Sequence, residues 1–437
     1  MLAYQMRLAW LSLRRNPFLS LITMLGIALG IFVSMTFVTA YYRLSGNPIP
    51  QKSDRLFYVQ MDAWDPQRAW DDDDPSEPPV QLTYLDAMGI TESDVPTYRA
   101  AMYKAYLTVI PEQEDQRPFR QNVRMTFGDF FPMFDVPFRY GSGWSREADE
   151  GPEAVVVLGD DINQRLFGGE DSTGRIVRIE DREFKVIGVL QPWRPMPKFY
   201  DTHNNEFGEA EEIFMPFRWG RDMEIYSSGN TSGWKSYSGN EYEDFLQSEN
   251  TWIQYWVQLD DASQKEAYLA YLNAYAGEQK KLGRFGRPIN NKLRSVMEWL
   301  HYERVIPEEA TTMLIISILF LVVCSVNLIG ILLGKFLARA PEVGVRRALG
   351  ASRRWVFVQH LLECEVIGVV GCVLGVGASI FGLEIIDRLF GQQFNFQIDL
   401  NMLAVALSLA LASALLAGAY PAWRICRIQP GAYLKSQ

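Results

Sequence analysis

Cysteine and histidine are scarce in this sequence, and their placement excludes most of the chemistry that depends on them. Cys324 and Cys372 lie inside long apolar runs, Cys364 and Cys426 lie beside the charged ends of such runs, and the 265 residues between Arg43 and Glu309 contain no cysteine. No disulfide framework is therefore expected. His203, His301 and His360 are scattered with no cysteine nearby, so they suggest no zinc site and read as structural or surface side chains. Gly-x-Ser-x-Gly, His-Glu-x-x-His and paired Cys/His spacings are also missing, which leaves no catalytic constellation for a membrane-bound enzyme.

Charge is missing too, but only locally. No charged residue occurs in the 27 positions between Arg15 and Arg43, the 25 between Glu309 and Lys335, the 18 between Glu365 and Glu384, or the 24 between Asp399 and Arg424. About 20 apolar residues at 1.5 Å rise cross a hydrocarbon core of roughly 30 Å, so the four runs predict four membrane spans. The third is short and rich in glycine (Gly368, Gly371, Gly375, Gly377, Gly382), a composition that suits close helix packing as well as a weak span. The first run is too long for the apolar core of a signal peptide and reads as a retained anchor.

The remaining charge is divided by sign. Segments 1–15, 335–365 and 424–437 hold twelve basic and three acidic residues, leaving 30 basic against 49 acidic elsewhere. Basic flanks stay on the cytoplasmic side, so both termini and the 335–365 loop are expected there, with the acidic 43–309 segment outside. Within Met1–Arg15 an apolar stripe of Leu2, Met6, Ala9, Trp10 and Leu13 beside three arginines predicts a helix on an anionic lipid surface.

The large segment reads as α/β. Leu56–Gln60, Ala154–Leu158 and Phe184–Leu190 read as strands between Gly, Pro and Asp clusters; Tyr268, Tyr271, Leu272 and Tyr275 share one helix face; a second helix is expected over Asn291–Leu300. Asp71–Pro79 (DDDDPSEPP) reads as an exposed loop, too acidic and proline-rich to pack. Calcium is a poor alternative, since four consecutive aspartates cannot all face one ion. An interaction domain fits this segment better than an enzyme.

Two further patterns lie in the basic loop and the spans. In Ala340–Glu365 (APEVGVRRALGASRRWVFVQHLLECE) a short helix, a Gly350-Ala351-Ser352 break and a second helix capped by Ser352 are expected. Gly330 to Phe336 is a poor phosphate-loop match, with one residue too few between the glycines and Phe336 where Ser or Thr must hold magnesium. Gly330 and Gly334, with Gly26 and Gly30, read instead as small-residue helix contacts.

The runs EVGVRRALGASRR and AYPAWRICRIQPGAYLK, the opening LRRNPFLSLITMLGIALGI, and in the large segment TFGDFFPMFDVPFRYGSGW and AVVVLGDDINQRLFGGEDSTGRIVRIEDREFKVIGVL together resemble the permeases of MacB-like ABC transporters, which share an FtsX-type membrane domain. The resemblance implies four transmembrane helices plus an α/β extracytoplasmic domain inserted between spans 1 and 2, of the MacB periplasmic core type and divided into two subdomains. By position the layout is a cytoplasmic amphipathic helix (1–15), span 1 with a stalk (16–42), the periplasmic domain (43–309), span 2 (310–334), a cytoplasmic loop (335–365), span 3 (366–383), a short periplasmic loop (384–399), span 4 (400–423) and a cytoplasmic tail (424–437).

The resemblance also implies a function. Such permeases sit in the bacterial inner membrane, pair with a second permease chain, and transmit the motion of a cytoplasmic ATPase to the periplasmic domain, which exports or extracts a peptide, lipid or small amphiphile. Carried over by position, Glu342, Gly344, Val345, Arg346, Arg347, Gly350 and Ser352 form the ATPase-docking loop; Pro341 stands where the family usually has Arg or Lys. Full-length MacB carries its ATPase ahead of the first span, where this sequence has about fifteen residues, so a separate dimeric ABC ATPase subunit is expected. ATP and magnesium would be bound there, and no cofactor by this chain. The second permease can be of like or unlike sequence, and a periplasmic adaptor and outer-membrane channel are further partners of such systems; nucleic acid is not. The alternative is an FtsX-like regulator that activates a periplasmic envelope enzyme.

Overall fold

The computed structural model describes residues 17–112, 117–151, 153–237, 239–305, 308–389 and 400–427. The expected helix over 1–15, most of the 384–399 loop and the tail beyond 427 lie outside the described residues. In chain order, α1 (Pro17–Ser45) precedes an eleven-stranded segment that also carries α2 (Ala262–Lys281). After it come α3 (Glu308–Leu337), α4 (Ala340–Ala348), α5 (Arg353–Leu389) and α6 (Leu400–Cys426). The chain divides into two units, Gly46–Val305 and the remainder.

In the helical unit, α1, α3, α5 and α6 are each long and apolar enough to cross a membrane. The apolar pattern of α1 is the reverse of a soluble helix. Its packed side carries Ser20, Thr23, Ile27, Gly30, Ile31 and Ser34, while Phe18, Leu21, Leu25 and Leu29 are exposed. In lipid there is no hydrophobic gain from turning leucines inward, so small and polar residues take the helix contacts. The Ser34 hydroxyl donates to the Ser317 carbonyl of α3 at 3.0 Å, and that of Ser379 on α5 to the Phe32 carbonyl of α1 at 3.2 Å. The glycines of the third apolar run supply the closest packing: a Cβ on Gly371 or Gly375 would collide with Ile27, Ile31 or the backbone of α1, and one on Gly368 with Ala414 of α6.

The 18-residue third run sits inside a helix of 37 residues. The charge-free window marks the part that tolerates hydrocarbon; Arg353, Arg354, Glu363, Glu365 and Glu384 are good helix formers, so the helix continues through them at both ends. Most of the expected 335–365 loop is therefore helical.

In the large unit the strands are β1 (Leu56–Gln60), β2 (Leu82–Thr83), β3 (Tyr98–Ile110), β4 (Phe119–Thr126), β5 (Phe138–Gly141), β6 (Val155–Leu158), β7 (Ile176–Ile179), β8 (Arg182–Leu190), β9 (Ile213–Pro216), β10 (Thr251–Gln258) and β11 (Lys292–Ser295). They form one sheet in the order β11-β1-β10-β3-β4-β9-β6-β8-β5, with β2 added on β10 and β7 bridging β3 and β8. Both faces are covered. Along β1, Phe57 and Val59 enter one core and Leu56 and Tyr58 the other; along β10, Tyr255 and Val257 oppose Trp256. Burial on both faces explains why β10 (TWIQYWVQ) is buried throughout instead of alternating with exposed positions. Tyr268 and Leu272 of α2 close the first core; Trp299, stacked on Tyr58, closes the second.

Two expectations need correction. Residues 292–295 form β11, paired antiparallel with β1, and the helix runs only over Val296–Tyr302. Its start is fixed by Ser295 and Glu298, which exchange hydrogen bonds with each other's backbone N–H. Within Asp71–Pro79 the aspartates Asp72, Asp73 and Asp74 are exposed and Asp71 is partly so, but Glu77, Pro78 and Pro79 are buried. Glu77 packs because Lys292 and Arg294 of β11 meet its carboxylate at 2.7 and 2.6 Å.

The second core also encloses ions. Arg124 on β4 lies between Val123 and Met125, which face the first core, so it points the other way, into a cluster with Asp201, Glu211 and Lys198, all buried. Its Nη2 donates to Asp201 and, at 2.5 Å, to Glu211; Lys198 reaches Glu211 at 3.3 Å and the Tyr200 hydroxyl donates to it at 2.9 Å. Gln254 and Asn204 both donate to Asp201. Burial alone would raise the Glu211 carboxyl, but Arg124 and Lys198 outweigh it and hold it well below the usual carboxylate range.

Candidate functional site

The residues singled out in the basic loop build α4 and the turn after it. Pro341 occupies the first turn, where its missing N–H costs nothing. Arg346 and Arg347 fall in the last turn, where cations favour the helix dipole. The end is a Schellman arrangement: Ala351 N–H donates to the Arg346 carbonyl at 3.0 Å and Gly350 N–H to that of Arg347 at 3.1 Å. Gly350 has φ +104°, a backbone region that side chains other than glycine rarely enter. The Ser352 hydroxyl then accepts from Trp355 N–H at 3.2 Å and starts α5.

The side chains divide between seat and surface. Val343 and Gly344 are buried, as is Ala340, while Glu342 and Val345 are exposed and Leu349 is 84% exposed. The two arginines turn inward: Arg346 donates to Gln359 of α5 at 3.4 Å, and Arg347 to the Cys426 carbonyl, the last residue of α6, at 3.0 Å. Arg346, Leu349, Gly350, Ala351, Ser352 and Trp355 line an open groove of about 460 Å³.

Behind α4 lies a charged cluster that sequence reasoning missed. Lys335, in the last turn of α3, is fully buried, and its Nζ is 2.8 Å from Glu363 of α5 and donates to the Ser20 hydroxyl of α1 at 3.1 Å. Arg339, just ahead of α4, donates to both oxygens of Glu363 at 3.3 and 3.4 Å. His360 Nδ1 lies 3.7 Å from the same carboxylate, with its ring against Phe336. One carboxylate thus ties α1, α3 and α5 to the entry of α4. Each of these residues sits at the edge of an apolar run, so position alone made them look like flanking charges; the usable signal was His360 and Glu363 three residues apart on one helix face.

The glycines singled out as helix contacts are placed differently from one another. A Cβ on Gly26 would touch Leu328 of α3 at 3.0 Å, and one on Gly30 would lie 2.7 Å from Leu321. On Gly330 or Gly334 it would meet nothing within 4 Å, so these two face open space on the single chain, as do Ile315, Ile316, Leu319, Val323 and Val326 of the same helix.

Residues 20–275 match the family model of the MacB-like periplasmic core domain, and residues 314–430 that of the FtsX-like permease C-terminal domain. The macrolide export ATP-binding/permease protein MacB of Azoarcus sp. (strain BH72) is 23% identical over 435 residues, which is 99% of this chain and 59% of that protein. The pyoverdine export ATP-binding/permease protein PvdT of Pseudomonas syringae pv. tomato is 25% identical over 319 residues, 70% of this chain and 42% of that one. The chain spans about three-fifths of the length of the MacB proteins it matches over nearly its whole length. Among solved structures, the periplasmic region of MacB from Actinobacillus actinomycetemcomitans aligns with a TM-score of 0.36 and 12% identity, covering 57% of this chain and 92% of that one.

Proposed function

Because the chain belongs to the family that joins a MacB-like periplasmic core domain to an FtsX-like permease domain, we propose that it is a non-catalytic permease that carries the motion of an ABC-type ATPase to its large domain. The observation that carries this reading is the way α4 is mounted. Val345 and Leu349 on its outer side are exposed and can receive a partner, while its buried face is tied through Arg346 to α5, through Arg347 to α6, and through Arg339 and Glu363 to Lys335 and α1. A push on such a helix is felt by all four spans. A plain surface helix would not need those ties.

In this reading α4 faces the cytoplasm, as the basic flanks require, and the acidic domain lies outside, in the periplasm. ATP and magnesium belong to the ATPase, and cargo, a peptide, lipid or small amphiphile, is moved on the outer side. The exposed apolar face of α3, with Gly330 and Gly334, suits a second permease chain, like or unlike.

The test is to purify the complex gently and ask whether an ABC ATPase accompanies it, then repeat with Leu349→Glu. Leu349 is the better position, because Arg346 and Arg347 also seat α4, so charge reversal there would confuse docking with folding. ATPase should be recovered with the unaltered chain and lost with Leu349→Glu at unchanged thermal stability. Full recovery with the variant would sink the docking assignment, and an envelope hydrolase in place of the ATPase would favour the regulator.

A further inference from the structure

The large unit contains a cleft of about 360 Å³ that the coupling argument does not use. Its volume is within the range of roughly 300–1,000 Å³ usual for small-ligand sites. Tyr84, Met88, Phe127 and Phe217 supply an apolar wall, with the rings of Tyr84 and Phe217 nearly parallel, 15° apart. Four arginines and four carboxylates complete the lining, and how each is already engaged shows which remain available.

Two of the arginines are committed. Arg146 grips Asp129 through Nε and Nη2, the latter at 2.7 Å, and Arg99 donates to the Ser93 carbonyl. Arg218 and Arg221 are about half exposed, and so are weakly held by their partners: Arg218 donates to the Glu150 carbonyl and its Nε lies 3.5 Å from Asp222, while Arg221 Nη2 lies 3.2 Å from Glu243. The carboxylates differ likewise. Asp129 holds Arg146, whereas the hydrogen bonds described for Asp149 come from two neutral donors, Gly128 N–H at 2.9 Å and Trp144 Nε1 at 2.7 Å. Burial pushes the Asp149 carboxyl up to about 7, as expected of a carboxylate that lacks a cation in contact. The cleft thus offers an apolar wall, one carboxylate with no ion pair described for it, and two half-exposed guanidinium groups whose exposed ion pairs are weak enough to exchange.

We propose that this cleft binds a small amphipathic zwitterion of dipeptide size, its ammonium at Asp149, its carboxylate at Arg218 and Arg221, and an apolar side chain against Tyr84 and Phe217. A simple anion would leave Asp149 unmatched, and a simple cation would face Arg218 and Arg221. The site stands independently of the docking of an ATPase on α4.

The test uses the full chain in detergent, titrated with the dipeptide Leu-Phe, its N-acetyl form and its C-terminal amide, followed by calorimetry. The free dipeptide should bind saturably at about 1 mM or below, and each blocked form at least about tenfold more weakly, the loss expected for one charged contact. Arg218→Gln with Arg221→Gln should weaken the free dipeptide about tenfold and leave the amide unchanged. Both side chains are on the rim, so this variant should keep its unfolding midpoint even if Asp149→Asn does not fold. Absence of saturation, equal affinity for the three forms, or unaltered binding by the double variant would overturn the proposal.

Discussion

The two units each bury a cluster of charges, and the clusters are built on different plans. In the large unit two cations face two carboxylates, and the carboxylates are further bonded to Tyr200, Gln254 and Asn204. In the helical unit a single carboxylate, Glu363, is shared by Lys335, Arg339 and His360, at distances from 2.8 to 3.7 Å. The first cluster is balanced and pins the segment from Lys198 to Glu211 onto the sheet. In the second, one carboxylate meets side chains of α3, α5 and the entry to α4, so a shift of any one of them is felt by the others. A cluster that holds one segment on a sheet keeps a shape; one that joins several helices at a junction can relay a movement.

The largest effect should come from the balanced cluster. Arg124→Met leaves Asp201 and Glu211 buried with only Lys198 to answer them, and breaking a buried ion set in this way costs about 3–5 kcal/mol. Denaturant unfolding of the large unit should show it as a shifted midpoint. A loss under about 1 kcal/mol would mean water enters and the cluster is no pin. Next in size is Glu363→Gln, which removes the carboxylate bonded to Lys335, for roughly 3 kcal/mol. The informative variant combines Lys335→Met with Glu363→Leu, since apolar replacement of a buried pair often restores stability. Recovered stability with lost ATP-driven activity marks a relay; recovery of both makes this cluster a pin like the other, and the contrast fails.

The contrast was only partly legible in the sequence. Charge-free runs found the four spans, but the expected Asn291–Leu300 helix starts too early, because β11 is too short to show alternation and the S-x-x-E signal at Ser295, which marks the true start, went unread. The α4 turn was readable because Gly350 and Ser352 act on their own neighbours. Arg124 was not, since it lies in an ordinary-looking strand and its partners come from 77 and 87 residues away. Lys335 and Glu363 were visible as residues but not as a pair, because flanking charges and packed charges have the same sequence. The residues with non-local partners were the ones missed.

A smaller effect should appear with pH. Burial pushes the Glu303 carboxyl up to about 7 and lowers His203 to about 4, so in the window between them both groups of this 3.1 Å contact are neutral. For Glu303, raised above its unfolded value, the stabilising contribution is complete below about 4.5 and is lost as pH rises through 7. For His203, depressed below its unfolded value, it is complete above about 6.5 and is lost as pH falls through 4. From this pair alone, unfolding midpoints should stay level between about pH 4.5 and 6.5, where the two opposing slopes cancel, and decline on either side. Glu212 and Asp149, also raised to about 7 by burial, extend the alkaline limb, so that it begins near their unfolded values and runs to about 7. Glu303→Gln should reduce that limb by up to about 1.4 kcal/mol per pH unit; an unchanged slope would show that Glu303 is ionised throughout.

The smallest change sharpens the relay itself. Gly350 has φ +104° and open space where a Cβ would go, so Gly350→Ala meets no clash and its cost is conformational alone, about 1 kcal/mol. Gly350→Asn should cost less, because asparagine tolerates positive φ better than alanine. Neither substitution touches Glu363, Lys335 or Arg339. If α4 is the lever, Gly350→Ala should speed amide exchange across Val343–Ala348 and lower ATP-driven activity, with Gly350→Asn intermediate in both, while the unfolding midpoint of the large unit stays fixed. Unaltered activity despite faster exchange would place the coupling in the charged cluster without α4, which keeps the contrast between the two clusters and removes the lever.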